Sequence, residues 1–153
     1  TGNRPKIRSQ ATACHRAHII FSANNNEEVM IFPVVPPDFE ITDEQNNEDF
    51  DGISGKMKLI GEKGLKKLTI SSFFPVNKEY TFVKAGSERD GRKYIEFLDK
   101  WRAQKVPFRV VVTSKDGRCI LNMACVVNSI TYHYDKVGDI QYTLDIEEYR
   151  FGG

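Results

Sequence analysis

The residues in this chain that could do chemistry are few and scattered. Cys14, His15 and His18 form a Cys-His-x-x-His cluster. Thiolate and imidazole are ordinary zinc ligands, yet a closed structural site takes four donors, and the one other histidine, His133, lies far along the chain. Cys119 or Cys125 paired with His133 would be a thiol nucleophile with its base, but neither cysteine sits in a nucleophile motif, and apolar surroundings would raise the thiol pKa. Glu147 and Glu148 are consecutive, so on a strand they point to opposite faces and cannot act as a facing acid and base. Asp43, Asp49 and Asp51 lack the spacing of a calcium loop, and Gly52, Gly55, Gly61 and Gly64 spell neither a phosphate loop nor a dinucleotide fingerprint. The reading is of a protein that is not an enzyme, with no catalytic, metal or cofactor residues assigned and no cofactor expected.

The elements that would position these residues read as β structure around one helix. Ala17 to Ser22 and Val29 to Val35 flank Asn24-Asn25-Asn26-Glu27, which suits a hairpin, and Pro33, Pro36 and Pro37 then stop the ladder. Residues 38–51 are expected to form an acidic, mobile surface loop. Met57 and Leu59, then Leu68, Ile70 and Ser72, alternate on either side of Gly61-Glu62-Lys63-Gly64, predicting two strands joined by that turn, with positive φ at Gly61 and Gly64. A helix is predicted over about 90–104, where Tyr94, Ile95, Phe97, Leu98 and Trp101 make an apolar stripe. Ser87 or Asp90 is its cap, and Pro107 lies beyond its end. Trp101 reads as core rather than a ligand-stacking residue.

Strands then follow at Phe108 to Ser114, Cys119 to Val127, Ile130 to Tyr134 and Ile140 to Glu147, with hairpin turns at Asp116-Gly117 and Gly138. Tyr132, Tyr134 and Tyr142 are expected as cross-strand core pairs. The fold class is mainly β (α+β), an antiparallel sandwich or partly open barrel with one inserted helix.

At 153 residues the chain suits one domain, here 17–151, preceded by a basic arm over 1–16 and followed at 152–153 by the possible start of a linker. A net charge of +1 supplies no field for nucleic-acid binding, and no apolar run approaches the ~20 residues of a membrane span. Three cysteines exclude a complete disulfide framework. Cys119 and Cys125, about 20 Å apart along one strand at ~3.3 Å per residue, read as small core residues of a protein made in the cytoplasm.

The overall balance hides strong local blocks. Asp38 to Asp51 holds seven carboxylates and no base, and Lys56 to Lys67 five lysines and one glutamate. Two readings stand side by side: solvated surface, or one copy's acidic block meeting a neighbour's basic one. On the second, Asp43, Glu44, Asp49, Lys56, Lys58, Lys66 and Lys67 are the candidate subunit-interface residues.

Three segments carry a family resemblance: Phe32-Pro33-Val34-Val35-Pro36-Pro37-Asp38-Phe39-Glu40-Ile41, the run from Leu59 to Pro75, and Gly138 to Phe151. Across Ile31 to Phe151 the chain resembles the inner baseplate proteins, often bearing a LysM module, of Firmicutes contractile phages, defective prophages and R-type bacteriocins. The resemblance implies a tail-tube-like β fold and a homo-hexameric ring that joins the tail tube protein to the central hub or spike protein. It implies a structural component assembled into a virion or bacteriocin particle after synthesis in the bacterial cytoplasm. Many relatives continue into LysM, whereas these residues stop at Gly153, so cell-wall binding is not assigned to them. The rival expectation is a peptidoglycan- or carbohydrate-binding module using Trp101 or the tyrosines.

Overall fold

A computed structural model describes residues 17–52, 55–76 and 78–151. The predicted first hairpin is formed by β1 (His18–Ala23) and β2 (Glu28–Ile31). Asn24, Asn25 and Asn26 turn it with φ of 54°, 55° and 66°, the left-handed region that asparagine enters more readily than most residues. After the prolines come β3 (Glu40–Thr42), β4 (Glu48–Gly52), β5 (Gly55–Leu59) and β6 (Lys67–Phe74). Helix α1 (Arg92–Gln104) precedes β7 (Phe108–Thr113), β8 (Cys119–Tyr134) and β9 (Ile140–Glu148).

Seven strands form one antiparallel sheet in the order β2-β1-β7-β8-β9-β6-β3, and β4 and β5 form a separate two-stranded ribbon. Alternation of side chains sends Ile19 and Phe21, Val110 and Val112, Leu121 and Met123, Leu144 and Ile146, and Leu68 and Ile70 to one buried face. The sheet curls over that face. Phe32, just past β2, lies with its ring centroid 4.5 Å from Phe21 of β1, 5.5 Å from Phe74 of β6 and 6.3 Å from Tyr142 of β9, so strands from both flanks meet around one aromatic ring. The seven-stranded sheet stays open, and with α1 it makes the expected β-rich fold with one helix.

Helix α1 closes the apolar face with the predicted stripe: Tyr94, Phe97, Leu98 and Trp101 are buried. Tyr94 stacks on Phe74 at 4.6 Å, and Phe74 on Tyr142 at 4.1 Å. Truncating a ring so enclosed costs about 3–5 kcal/mol. Neither expected residue is the N-cap, which is Gly91 without a side-chain cap bond; Asp90, just before it, accepts from Arg92 N at 3.0 Å, and the Ser87 hydroxyl donates to the Lys84 carbonyl at 2.6 Å. Gly91 begins the helix because a Cβ there would lie 2.5 Å from Phe74 Cβ and 2.7 Å from the Pro75 carbonyl oxygen. Lys105, at φ 57°, ends it in the left-handed region.

Five further expectations are corrected. The acidic segment is not all loop, since it contains β4 and a bridge from Gln45 to Lys63. The strand holding Met57 and Leu59 does not pair with β6 across Gly61 to Gly64; it pairs with β4, while β6 lies between β9 and β3. Gly61 and Gly64 are not at positive φ, and what Gly61 provides is room. The strands expected at Cys119 to Val127 and Ile130 to Tyr134 are one strand, β8, with a register irregularity between Val127 and Ser129. Cys119 is exposed rather than core, the register having shifted beside it between Val112 and Thr113.

Candidate assembly surface

The ribbon β4–β5 stands on a neck whose construction follows from its polar residues. Asn46 N donates to the Glu62 carbonyl at 2.8 Å, Gln45 Nε2 to the Gly61 carbonyl at 2.8 Å, Gly61 N to Asn47 Oδ1 at 2.9 Å, and Gly64 N to the Glu44 carbonyl at 2.7 Å. The two chains approach so closely that a Cβ on Gly61 would fall 1.4 Å from the Asn46 carbonyl oxygen. Just past β9, Arg150 clamps the neck to the body. Its guanidinium donates to the Lys63 carbonyl at 3.0 Å and to the Gly64 carbonyl at 2.8 Å, and lies 3.6 Å from Glu148. The Glu148 carboxylate accepts in turn from Lys66 N at 3.1 Å. A forked donor suits this task, because two carbonyls at fixed separation can be held at once.

The seven expected interface residues all lie on or beside this projection, where the backbone register sets acidic positions opposite basic ones within one chain. Asp43 is 3.5 Å from Lys63. The ladder places Asp49 opposite Lys58 and Asp51 opposite Lys56. Lys67 lies opposite Glu147 on β9, and Lys66 meets Glu148 through its backbone. Glu44 contributes its carbonyl to the neck. The segregation seen along the sequence is therefore largely matched by antiparallel pairing, which sets the end of an acidic block against the start of a basic one. Arg150, Glu148, Asn46 and Asn47 were missed by the sequence reading. Their role depends on partners 14 to 87 positions away, which no local motif reports.

A second surface lies on the other flank. Strand β7 pairs with β8 only as far as Cys125, whereas β9 follows β8 to Tyr134. Residues 126–134 thus have no strand on their β7 side among the described residues, leaving a row of backbone donors and acceptors open. Ile130, Tyr132 and Tyr134 are in register with Leu144, Tyr142 and Ile140, as expected for cross-strand pairs. However, Tyr132 and Tyr134 are exposed, 43% and 55%, because the sheet runs past the cover of the core.

The turn from β8 to β9 is built by two aspartates. Asp135 accepts from Val137 N and Asp139 N, both at 3.0 Å, and from Gln141 Nε2 at 2.9 Å. These bonds, the one from Gln141 foremost, hold its carboxyl below the usual range. Asp139 is buried and accepts from Val76 N at 3.1 Å and from the Tyr80 hydroxyl at 2.5 Å. That hydroxyl bond, with desolvation, pushes the Tyr80 phenol up to about 12. The pairs anchor the loop after β6.

The residues considered for chemistry are not assembled into a site. Cys125 is buried, and desolvation pushes its thiol up. Glu147 and Glu148 take adjacent, opposite-facing positions on β9. Among the described residues no three His, Cys, Asp or Glu side chains gather as a metal site; Cys14 and His15 lie outside those residues, as does the basic arm 1–16. Trp101 is buried as expected, and its indole N–H donates to Glu28 Oε1 at 3.0 Å, so it offers no free stacking face. No helix among the described residues is long and apolar enough to cross a membrane.

No family model matches the chain. It is 24% identical over 133 residues to a Bacillus subtilis (strain 168) protein described as "Uncharacterized protein YqbP", a match covering 85% of this chain and 58% of that protein. The chain therefore spans little more than half the length of this curated relative. Among solved structures it is similar to a chain of the virion of the native gene transfer agent (GTA) particle, with a TM-score of 0.55, 12% identity, and 87% and 92% of the two chains covered. It is also similar to a chain in the tail of the empty GTA particle, which has C6 symmetry, with a TM-score of 0.55, 15% identity, and 90% and 93% covered. At these identities the likeness is one of fold: this β-rich sheet with one helix is shared with subunits of a phage-like particle.

Proposed function

We propose that this chain is a non-enzymatic structural subunit of a contractile phage tail or phage-tail-like particle, assembling as a hexameric ring that joins the tail tube to the central hub. The observation that carries the reading is the fold held in common, over nine-tenths of both chains, with a chain in a six-fold symmetric tail. The unpaired stretch of β8 supports it, since a ring of identical copies can complete each open edge with a neighbour. In that setting the protein acts through geometry. A stiff curled sheet with a packed aromatic core resists deformation, and the neck clamped by Arg150 fixes the direction in which the ribbon projects. Asp43, Glu44, Asp49, Lys56, Lys58, Lys66 and Lys67 lie where copies would meet in this reading.

Negative-stain electron microscopy and mass measurement on the full chain, over a rising concentration series and with candidate tube and hub proteins added, test it. Six-membered rings are the expected result. A chain that stays monomeric throughout and enters no particle overturns the proposal.

A further inference from the structure

Resting on the ring reading, we infer that the contact between copies is made by strand addition: β4 of one copy lies along the open edge of β8, residues 126–134, in the next. Four observations converge on this pairing. First, β8 runs nine residues beyond its last pairing with β7, a length able to take a whole incoming strand. Second, β4 has no strand on its outer edge among the described residues, where β4 and β5 make a two-stranded sheet. A two-stranded ribbon alone is marginal in water and gains most from a third strand.

Third, the charges match. Beside the start of the open edge, the end of α1 and β8 enclose a cleft of about 290 Å³ lined by Trp101, Arg102, Lys105, Val126 and Val127. β4 has the sequence Glu-Asp-Phe-Asp-Gly, three acids around one aromatic residue. The edge itself, residues 126–134, carries no lysine or arginine, so main-chain bonds would give the affinity along it, and the acids of β4 would meet Arg102 and Lys105 only at its start, where they fix register.

Fourth, the two surfaces are on different sides of the molecule. The ribbon leaves the sheet between β3 and β6, whereas the open edge faces away from β9 on the β7 side of β8. A contact between two unlike surfaces is head-to-tail, the kind that closes into a ring rather than stopping at a dimer.

Cross-linking in the full chain tests the contact. Cys14→Ser and Cys119→Ser remove the other cysteines, Cys125 being buried. Asp49→Cys and Ser129→Cys are then introduced together and singly and treated with a short bismaleimide. The double variant is expected to give a ladder of covalent multimers ending at the ring's copy number, and each single variant is expected to stay monomeric on a denaturing gel. Rings visible in the microscope without a ladder overturn this contact and leave the ring reading standing. Absence of rings for the unmodified chain at every concentration overturns the ring reading and this contact with it.

A charge exchange provides a second arm. Arg102→Glu with Lys105→Glu should raise the concentration needed for assembly by roughly tenfold or more. Glu48→Lys with Asp49→Lys in the same chain should restore it. Unchanged assembly after the first pair, or no restoration by the second, overturns the assigned charge match.

Discussion

Gly61→Ala is the sharpest perturbation of the projecting ribbon. The new methyl carbon would lie 1.4 Å from the Asn46 carbonyl oxygen, where an ordinary carbon-to-oxygen contact is about 3.3 Å or more. The two sides of the neck must therefore part by about 2 Å. Three bonds straddle this point: Asn46 N to the Glu62 carbonyl, Gln45 Nε2 to the Gly61 carbonyl, and Gly61 N to Asn47 Oδ1. Partly exposed bonds of this kind are worth ~0.5–1.5 kcal/mol each, so the loss of all three removes roughly 1.5–4.5 kcal/mol from a ribbon that is itself marginal. None of the buried core residues is touched. Amide exchange in β4 and β5 should accelerate by about ten- to a thousandfold, thermal unfolding of the seven-stranded body should move by no more than about 2 °C, and ring assembly should fail. Normal protection of the ribbon together with normal rings would refute the claim that a tight neck aims the ribbon.

Two tyrosines buried in one stack should respond oppositely to loss of the hydroxyl. Tyr94 donates to the Ile31 carbonyl and accepts from Glu88 N at 2.8 Å, so Tyr94→Phe should cost about 1–3 kcal/mol in denaturant unfolding. The Tyr142 hydroxyl is buried with no hydrogen-bond partner among the described residues; Tyr142→Phe should be neutral or stabilising by up to about 1 kcal/mol, and a loss equal to that of Tyr94→Phe would count against the packing described. The Tyr80 phenol, raised to about 12 by its bond to Asp139, favours the fold while protonated. Its contribution is complete below the ordinary value of about 10 and is lost as pH rises through 12, so the stability gap between wild type and Tyr80→Phe should close over that interval. Asp135 has the opposite sign. Its depressed pKa stabilises the fold above about 3.9 and loses that effect as pH falls through the lower folded value, and the advantage over Asp135→Asn should vanish there.

Local periodicity made several elements legible. The stripe from Tyr94 to Trp101, the asparagine turn and the alternation in β9 were visible because each is decided by residues within one element. Pairing between distant strands was not. Met57 and Leu59 alternate toward one face whichever strand lies beside them, so the sequence could not say that β5 would take β4 rather than β6. The acidic stretch looked like loop because residues 42–51 offer little to a core, and β4 forms without one, through pairing to β5 and a polar neck. Cys119 was misread because an irregularity at Val112 and Thr113 breaks an alternation that appears continuous in the letters. Asp139 was invisible as a buried anchor, since its partners Val76 and Tyr80 lie 63 and 59 positions away.

The internal charge pairing bears on how the interface should be probed. Exposed pairs such as Asp43 with Lys63 contribute only ~0–1 kcal/mol to the fold, so they leave the ribbon's charges available to an incoming partner at little cost. Lys67 differs, because it lies opposite Glu147 in the main sheet. A glutamate there would set like charges directly across two strands and weaken the body itself. Reversing Lys66 and Lys67 therefore mixes damage to the sheet with damage to assembly, whereas Lys56 and Lys58 sit on β5, away from the seven-stranded sheet. Loss of rings on reversing that outer pair, with unfolding of the body unchanged, separates a role in joining copies from a role in holding one copy together.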